Sequence, residues 1–255
     1  MLSVKHLIDT YSLTADDITQ ILDTAASFES VNNRAIKKVP ALRGRTIVNL
    51  FLEPSTRTKS SFELAEKRLA ADSLSMGGST SSVVKGESLA DTIQTISAMN
   101  VDMFVCRAKL AGTPQRITEN TDAVVINAGD GKHQHPTQAM LDLYTIRKNF
   151  GHLDGLKVAI VGDLAHSRVC GSLAPALKTM GAEVTLVGPP TFQVDDPDWF
   201  GCPQTASLDD VIEDMDVVYM LRVQLERMEG AAIPSRREYN RLYGLDMTRV
   251  NRMKP

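Results

Sequence analysis

The 255-residue sequence has only three cysteines, and Cys106, Cys170 and Cys202 are too widely spaced for the close pairs of a zinc site or a disulfide framework. That scarcity argues against a stapled secreted domain and favours a reducing cytoplasm. Long apolar runs are missing too. Met1 to Asp17 has no apolar core of signal-peptide length, and no later stretch approaches the roughly 18 apolar residues of a membrane span. Neither secretion nor membrane insertion is expected. An excess of one charge is also lacking. With 28 basic against 31 acidic residues, a formal net charge of -3 gives no general attraction to nucleic acid or an anionic membrane. Any anion site must therefore be built from individually placed residues. The sequence contains neither a glycine-rich P-loop nor a G-x-G-x-x-G turn, and His133 and His135 lack the carboxylate and cysteine company of a metal site. No cofactor and no metal are expected.

What is present is an ordinary globular composition, 43% hydrophobic, long enough for two domains. Short β-branched runs occur at Thr46 to Phe51, Met103 to Cys106, Ala123 to Asn127, Lys157 to Gly162, Glu183 to Gly188 and Val217 to Leu221. Between them lie helical patterns at Thr14 to Glu29, Thr58 to Ala71, Ser88 to Met99, Pro136 to Asn149, Arg168 to Met180 and Ser235 to Tyr243. Strands alternating with helices predict an α/β protein built on mostly parallel sheets flanked by helices. The glycine-bearing stretch Asn149 to Lys157 marks a junction near Phe150, giving domains 1–149 and 150–255. The Ser-rich patch Ser75 to Ser88 reads as a mobile loop.

Three local patterns suggest chemistry. In LFLEPSTRTKSSFE, a buried strand ends at Glu53-Pro54, and Ser55, Thr56, Arg57 and Thr58 open an amphipathic helix. Hydroxyls and a guanidinium at a helix N-terminus can cradle a phosphate, although simple capping by Ser55 or Thr56 would account for the hydroxyls equally well. In NAGDGKHQHPTQ, Pro136 starts a helix and places His135 and Gln138 where both can face the mouth of a sheet and donate to a carbonyl oxygen. A capping His135 and an exposed Gln138 are the plainer alternative. Arg107, Arg168 and Arg222 each stand at or just beyond a strand's carboxyl end, where open α/β sheets bind ligands, and the last two could clamp a dicarboxylate.

Taken together, these residues resemble the carbamoyltransferase superfamily from the N-terminus to Pro255. The shared elements are Ser55-Thr56-Arg57-Thr58 followed by Ser-Phe-Glu, and His135-Pro136-Thr137-Gln138. Lys85 to Thr92 (KGESLADT) and Arg222 to Arg227 (RVQLER) are similar to the aspartate type rather than the ornithine type, whose Ser-Met-Gly element is absent near the second of these. The resemblance implies a two-domain carbamoyltransferase fold and transfer of the carbamoyl group from carbamoyl phosphate to L-aspartate, an early step of de novo pyrimidine biosynthesis. It assigns carbamoyl phosphate to Ser55, Thr56, Arg57, Thr58, Arg107, His135 and Gln138, and aspartate to Arg168, Arg222 and Gln224. Among these, Arg57, Thr58, Arg107 and His135, together with Lys85, are implied to act in catalysis. Ser81 and Lys85 match loop residues that in the family enter a neighbouring subunit's site, implying a homotrimer, which regulatory chains join in some members. Two departures stand out. Ala108 follows Arg107 where the family usually has a histidine, and the sequence ends at Asn251 to Pro255 where the family continues with a further strand, a His-Pro-x-Pro loop and a final helix. The C-terminal half is therefore expected to be incomplete relative to the family. A non-catalytic phosphate-binding homologue and an ornithine-type enzyme remain as alternatives.

Overall fold

The computed structural model describes residues 1–77, 88–196, 199–224 and 235–254. The chain packs as two units, Met1–Met140 and Leu141–Pro255. In the first, helix α1 (Ala15–Glu29) opens on a capping box. The Thr14 hydroxyl accepts from the Asp17 N–H at 3.1 Å, and the Asp17 carboxylate accepts from the Thr14 N–H at 3.0 Å.

Strands β1 (Thr46–Phe51), β2 (Asp72–Gly77), β3 (Met103–Ala108) and β4 (Val124–Asp130) form a parallel sheet in the order β2-β1-β3-β4. Helices α2 (Thr56–Leu69), α3 (Leu89–Ser97), α4 (Thr113–Thr118) and the start of α5 (Pro136–Phe150) follow the strands in turn. On β1, Val48 and Leu50 pack with Ile93, Phe104, Ile117 and Val125, whereas Ile47 and Phe51 pack with Val105 and Ala128 on the opposite face. Because both faces are covered, the strand reads as one apolar run instead of alternating. Asn49 is the polar exception. Its Nδ2 donates to both carboxylate oxygens of buried Glu66, at 3.0 and 2.8 Å, tying α2 to the sheet. The N-terminal segment covers the free edge of β4, where the Leu7 N–H donates to Val125 O at 2.9 Å and Leu7 O accepts from the Asn127 N–H at 2.8 Å.

The second unit repeats this logic with β5 (Lys157–Val161), β6 (Glu183–Val187), β7 (Gln204–Thr205) and β8 (Val217–Met220), parallel and in the order β7-β6-β5-β8. Helix α6 (Arg168–Thr179) is buried without a break from Cys170 to Leu177, as expected of a helix apolar on most sides. Helices α7 (Arg236–Tyr243) and α8 (Met247–Val250) close the chain, with Tyr243 packed among Ala159, Val161, Val187, Leu208 and Met215. Arg249 fastens α8 by bonding Asp209 at 2.6 and 3.1 Å and the α7-end carbonyls of Leu242 at 3.0 Å and Gly244 at 2.6 Å. All three cysteines are free and buried.

The expected fold class is what the structure contains, and each of the six expected strands and six expected helices is present with small shifts at its ends. Strands β2 and β7 and helices α4 and α8 are additions. Within the patch read as a mobile loop, Ser75 to Gly77 belong to β2, while residues 78–87 lie outside the described residues. As an edge strand, β2 is held through parallel pairing of all six residues with β1 and needs little apolar side chain of its own. The junction expected near Phe150 is the last residue of α5, a helix whose first residues, to Met140, belong to the first unit and whose later turns belong to the second.

Candidate active site

In each sheet the strand order reverses once, and open α/β sheets bind ligands at such a point, beyond the strands' carboxyl ends. In the first sheet the reversal lies between β1 and β3. The residues that follow β1 are Ser55 to Thr58, and β3 carries Arg107 near its end. Ser55 is the N-cap of α2 in extended conformation (φ -160°, ψ 96°), yet its side chain makes no capping hydrogen bond. By contrast, the N-cap side chains of α1, α3, α6, α7 and α8 all do. The first turn of α2 also has no acidic residue, so its N–H groups and dipole are left for an outside anion. The capping alternative for Ser55 is thereby set aside.

Arg107 is aimed by a bulge. Cys106 pairs with Asn127 and Ala108 with Asp130, so Ala128 and Gly129 together face Arg107. Its guanidinium donates to Thr58 Oγ1 at 3.1 Å and to Ala128 O at 3.2 Å, and pairs with Glu53 Oε1 at 2.8 Å. Both partners of this ion pair are largely buried, which makes the pair stiffer than a surface salt bridge. Thr58 is thus in direct contact with Arg107, while Thr56 and Arg57 are exposed at the helix mouth.

His135 immediately precedes α5 and is buried, with Nδ1 at 3.4 Å from Thr137 Oγ1. Its carbonyl accepts the first helical bonds, from Gln138 N at 3.0 Å and Ala139 N at 3.2 Å. The loop before it is organised by Asp130. Burial pushes the Asp130 carboxyl up, but hydrogen bonds from His133, Asn127 and the Gly112 N–H outweigh burial and hold it below the usual range.

In the second sheet the reversal lies between β5 and β8. Buried Asp163 follows β5 and gathers this mouth. Its Oδ1 accepts from His166 Nδ1 at 2.7 Å and the His166 N–H at 3.2 Å, and its Oδ2 accepts from the Gln224 N–H at 3.0 Å. Ser167 caps α6 through the Cys170 N–H at 3.3 Å, leaving buried Arg168 as the helix's first residue. Beyond β8, exposed Arg222 donates to Gln224 Oε1 at 2.9 Å, and Gln224 Nε2 donates back to Arg222 O at 3.3 Å. The Tyr239 hydroxyl, close to Gly162, is pushed up to about 12 by burial and then by the charge of Asp163. Arg222 and Gln224 are thus in contact, and Arg168 stands at the mouth of the neighbouring strand.

The aspartate/ornithine carbamoyltransferase family is represented in the chain by two matches. One is to its carbamoyl-P binding domain over residues 5–148, the other to its Asp/Orn binding domain over residues 154–255. The chain belongs to this family. It is 52% identical over 250 residues to the aspartate carbamoyltransferase catalytic subunit of Thermobifida fusca, covering 98% of this chain and 80% of that one. Among solved structures, the catalytic subunit of M. jannaschii aspartate transcarbamoylase is similar with a TM-score of 0.81 at 39% identity, covering 94% of this chain and 79% of that one. The Trypanosoma cruzi aspartate transcarbamoylase, in complex with N-(phosphonacetyl)-L-aspartic acid, gives 0.88 at 29% identity, covering 99% and 82%.

Within this family frame, Ser81 and Lys85 lie outside the described residues. Three acidic residues that organise the two mouths were not anticipated: Glu53, Asp130 and Asp163. Each sits at or just after the end of a strand, beside a proline or glycine, and that placement was the available signal.

Proposed function

We propose that the chain is an aspartate carbamoyltransferase catalytic polypeptide, forming N-carbamoyl-L-aspartate and phosphate from carbamoyl phosphate and L-aspartate. The observation that carries this reading is the N-terminus of α2, uncapped by Ser55, with Arg107 fixed against Thr58 at the strand-order reversal. An anion held there meets free N–H groups and Arg57, while Arg107, Thr58 and His135 supply donors to an adjacent carbonyl oxygen. The neutral amine of aspartate attacks the carbamoyl carbon, a tetrahedral oxyanion forms, and the C–O bond to phosphate breaks. No covalent intermediate on the protein is required. The departing phosphate dianion takes the amine proton, which suits a site without an evident general base.

Gln138 completes the carbamoyl phosphate half, which we assign to residues 1–149. Arg168, Arg222 and Gln224 hold the two carboxylates of aspartate in the half formed by 150–255, where guanidinium forks match carboxylates bidentately. Ser81 and Lys85 serve a neighbouring subunit, so the working unit is a homotrimer, open to regulatory chains. Among the described residues no helix is long and apolar enough to cross a membrane. We place the enzyme in the cytoplasm.

A colorimetric assay for ureido products tests the reading, with aspartate and ornithine offered separately beside carbamoyl phosphate, on this chain and on one extended past Pro255. Product is expected from aspartate alone. Product from ornithine instead, or from neither amine, overturns it.

A further inference from the structure

The loop that delivers His135 is built around one buried carboxylate. Asp130 Oδ1 accepts from Asn127 Nδ2 at 2.9 Å and the Gln134 N–H at 3.0 Å, and Oδ2 accepts from the Gly112 N–H at 2.8 Å and His133 Nδ1 at 3.0 Å. The Asp130 N–H in turn donates to Gln134 O at 3.1 Å, so Gln134, immediately before His135, is bound to Asp130 through both its N–H and its carbonyl. Gly131 leaves the loop little freedom. It has φ +55°, and a Cβ there would come within 2.8 Å of Lys109 O. The other ring nitrogen of His133, Nε2, lies 3.3 Å from the Tyr11 hydroxyl. Tyr11 belongs to the N-terminal segment whose Leu7 extends the sheet beside β4.

We propose that Asp130, His133 and Tyr11 form a positioning relay for His135, fixing the loop that aims its imidazole and anchoring that loop to the N-terminal segment. The relay presupposes the carbamoyl-transfer reading, because His135 needs accurate aim only if it meets a reacting carbonyl. The three residues are proposed to act through His135 and not on substrate. A misplacement of about 1 Å at such a donor costs on the order of a hundredfold in rate, so the hydrogen bonds that hold the loop should be visible in turnover.

The charged and titratable groups facing His133 are Asp130 at the end of β4 and Asp9 and Tyr11 on the N-terminal segment. The hydrogen bond to Asp130 raises the His133 pKa against the effect of burial, and the charges of Asp130 and Asp9 add to the rise. With the imidazole neutral, Nδ1–H still serves Asp130 and Nε2 accepts from Tyr11. Once protonated, Nε2–H donates to Tyr11 instead. The bond to Asp130 survives both states, so the relay holds across neutral pH.

The test compares wild type, His133→Ala, His133→Asn and Tyr11→Phe in the carbamoyl-transfer assay and by NMR of the His135 ring. His133→Ala should lower kcat by about ten- to a hundredfold with little change in KM for carbamoyl phosphate, and should shift the His135 resonances. His133→Asn, which returns an N–H donor near the Nδ1 position, should recover much of that loss. Tyr11→Phe should fall between wild type and His133→Ala. Unchanged kcat and unchanged His135 resonances in His133→Ala overturn the relay. So does a fall of kcat and melting temperature together with a raised KM and no rescue by His133→Asn, the signature of a purely structural role. If wild type itself makes no product, the carbamoyl-transfer reading fails separately. The His135 resonances then decide whether the loop is held as proposed.

Discussion

At the residue scale, the two kinds of donor in the first mouth should separate kinetically. Arg57 is exposed where the leaving phosphate would sit, whereas His135 is buried at the start of α5. Losing a preorganised oxyanion donor costs on the order of a hundredfold or more in turnover. His135→Ala should therefore chiefly lower kcat, while Arg57→Ala should also weaken binding of carbamoyl phosphate, as read by steady-state kinetics and calorimetry. Normal turnover in His135→Ala would remove its electrophilic role. These side chains were recognisable in the sequence because each lies in a short motif beside a helix start. Their supporting carboxylates were not. The bond from Gln224 to Asp163 spans 61 positions, and the Glu53–Arg107 pair joins the ends of two adjacent strands. Such partners are chosen by sheet order, which local spacing does not reveal.

At the scale of elements, the start of α1 links a cap to acid stability. Asp17 accepts from the Ser3 N–H at 2.7 Å and Ser3 Oγ at 2.6 Å as well as from Thr14, and these bonds, those of Ser3 first, hold its carboxyl far below the usual range. A carboxylate with a depressed folded-state pKa adds stability that is fully present above its unfolded value, near 3.9, and is lost as the pH falls toward the folded value. Asp17→Asn should therefore flatten the acid limb of the melting-temperature profile below about pH 4. Thr14→Ala should cost about 1 kcal/mol at neutral pH by chemical denaturation. An acid limb identical to wild type in Asp17→Asn would show that these bonds do not differ between folded and unfolded chains. Capping signals of this kind were readable, as were β1, β3 and β5, whose runs are buried on both faces. The edge strands β2 and β7 were not. Their residues are exposed or only half covered, so backbone pairing decides their conformation and leaves little trace in composition.

At the scale of the whole molecule, the two sheets place their candidate residues by the same rule, each at the point where strand order turns back. The first mouth, to which we assign carbamoyl phosphate, is assembled from β1, β3 and the start of α5, yet Lys85 is proposed to serve a different subunit's site. That division has a consequence no single chain can show. A Lys85→Ala chain retains its own Arg57 but cannot serve its neighbour, and an Arg57→Ala chain has the opposite defect. When both variants are mixed and allowed to exchange subunits, a site with neither defect arises wherever a Lys85→Ala chain receives the loop of an Arg57→Ala chain. In head-to-tail rings formed from equal amounts, random assortment makes that about one site in four. Activity should therefore reappear in the mixture although each variant alone has almost none, and it should grow as native mass spectrometry shows mixed trimers accumulating. Mixed trimers that stay as inactive as their parents would mean that Lys85 works within its own chain or not at all, and the shared site would have to be abandoned.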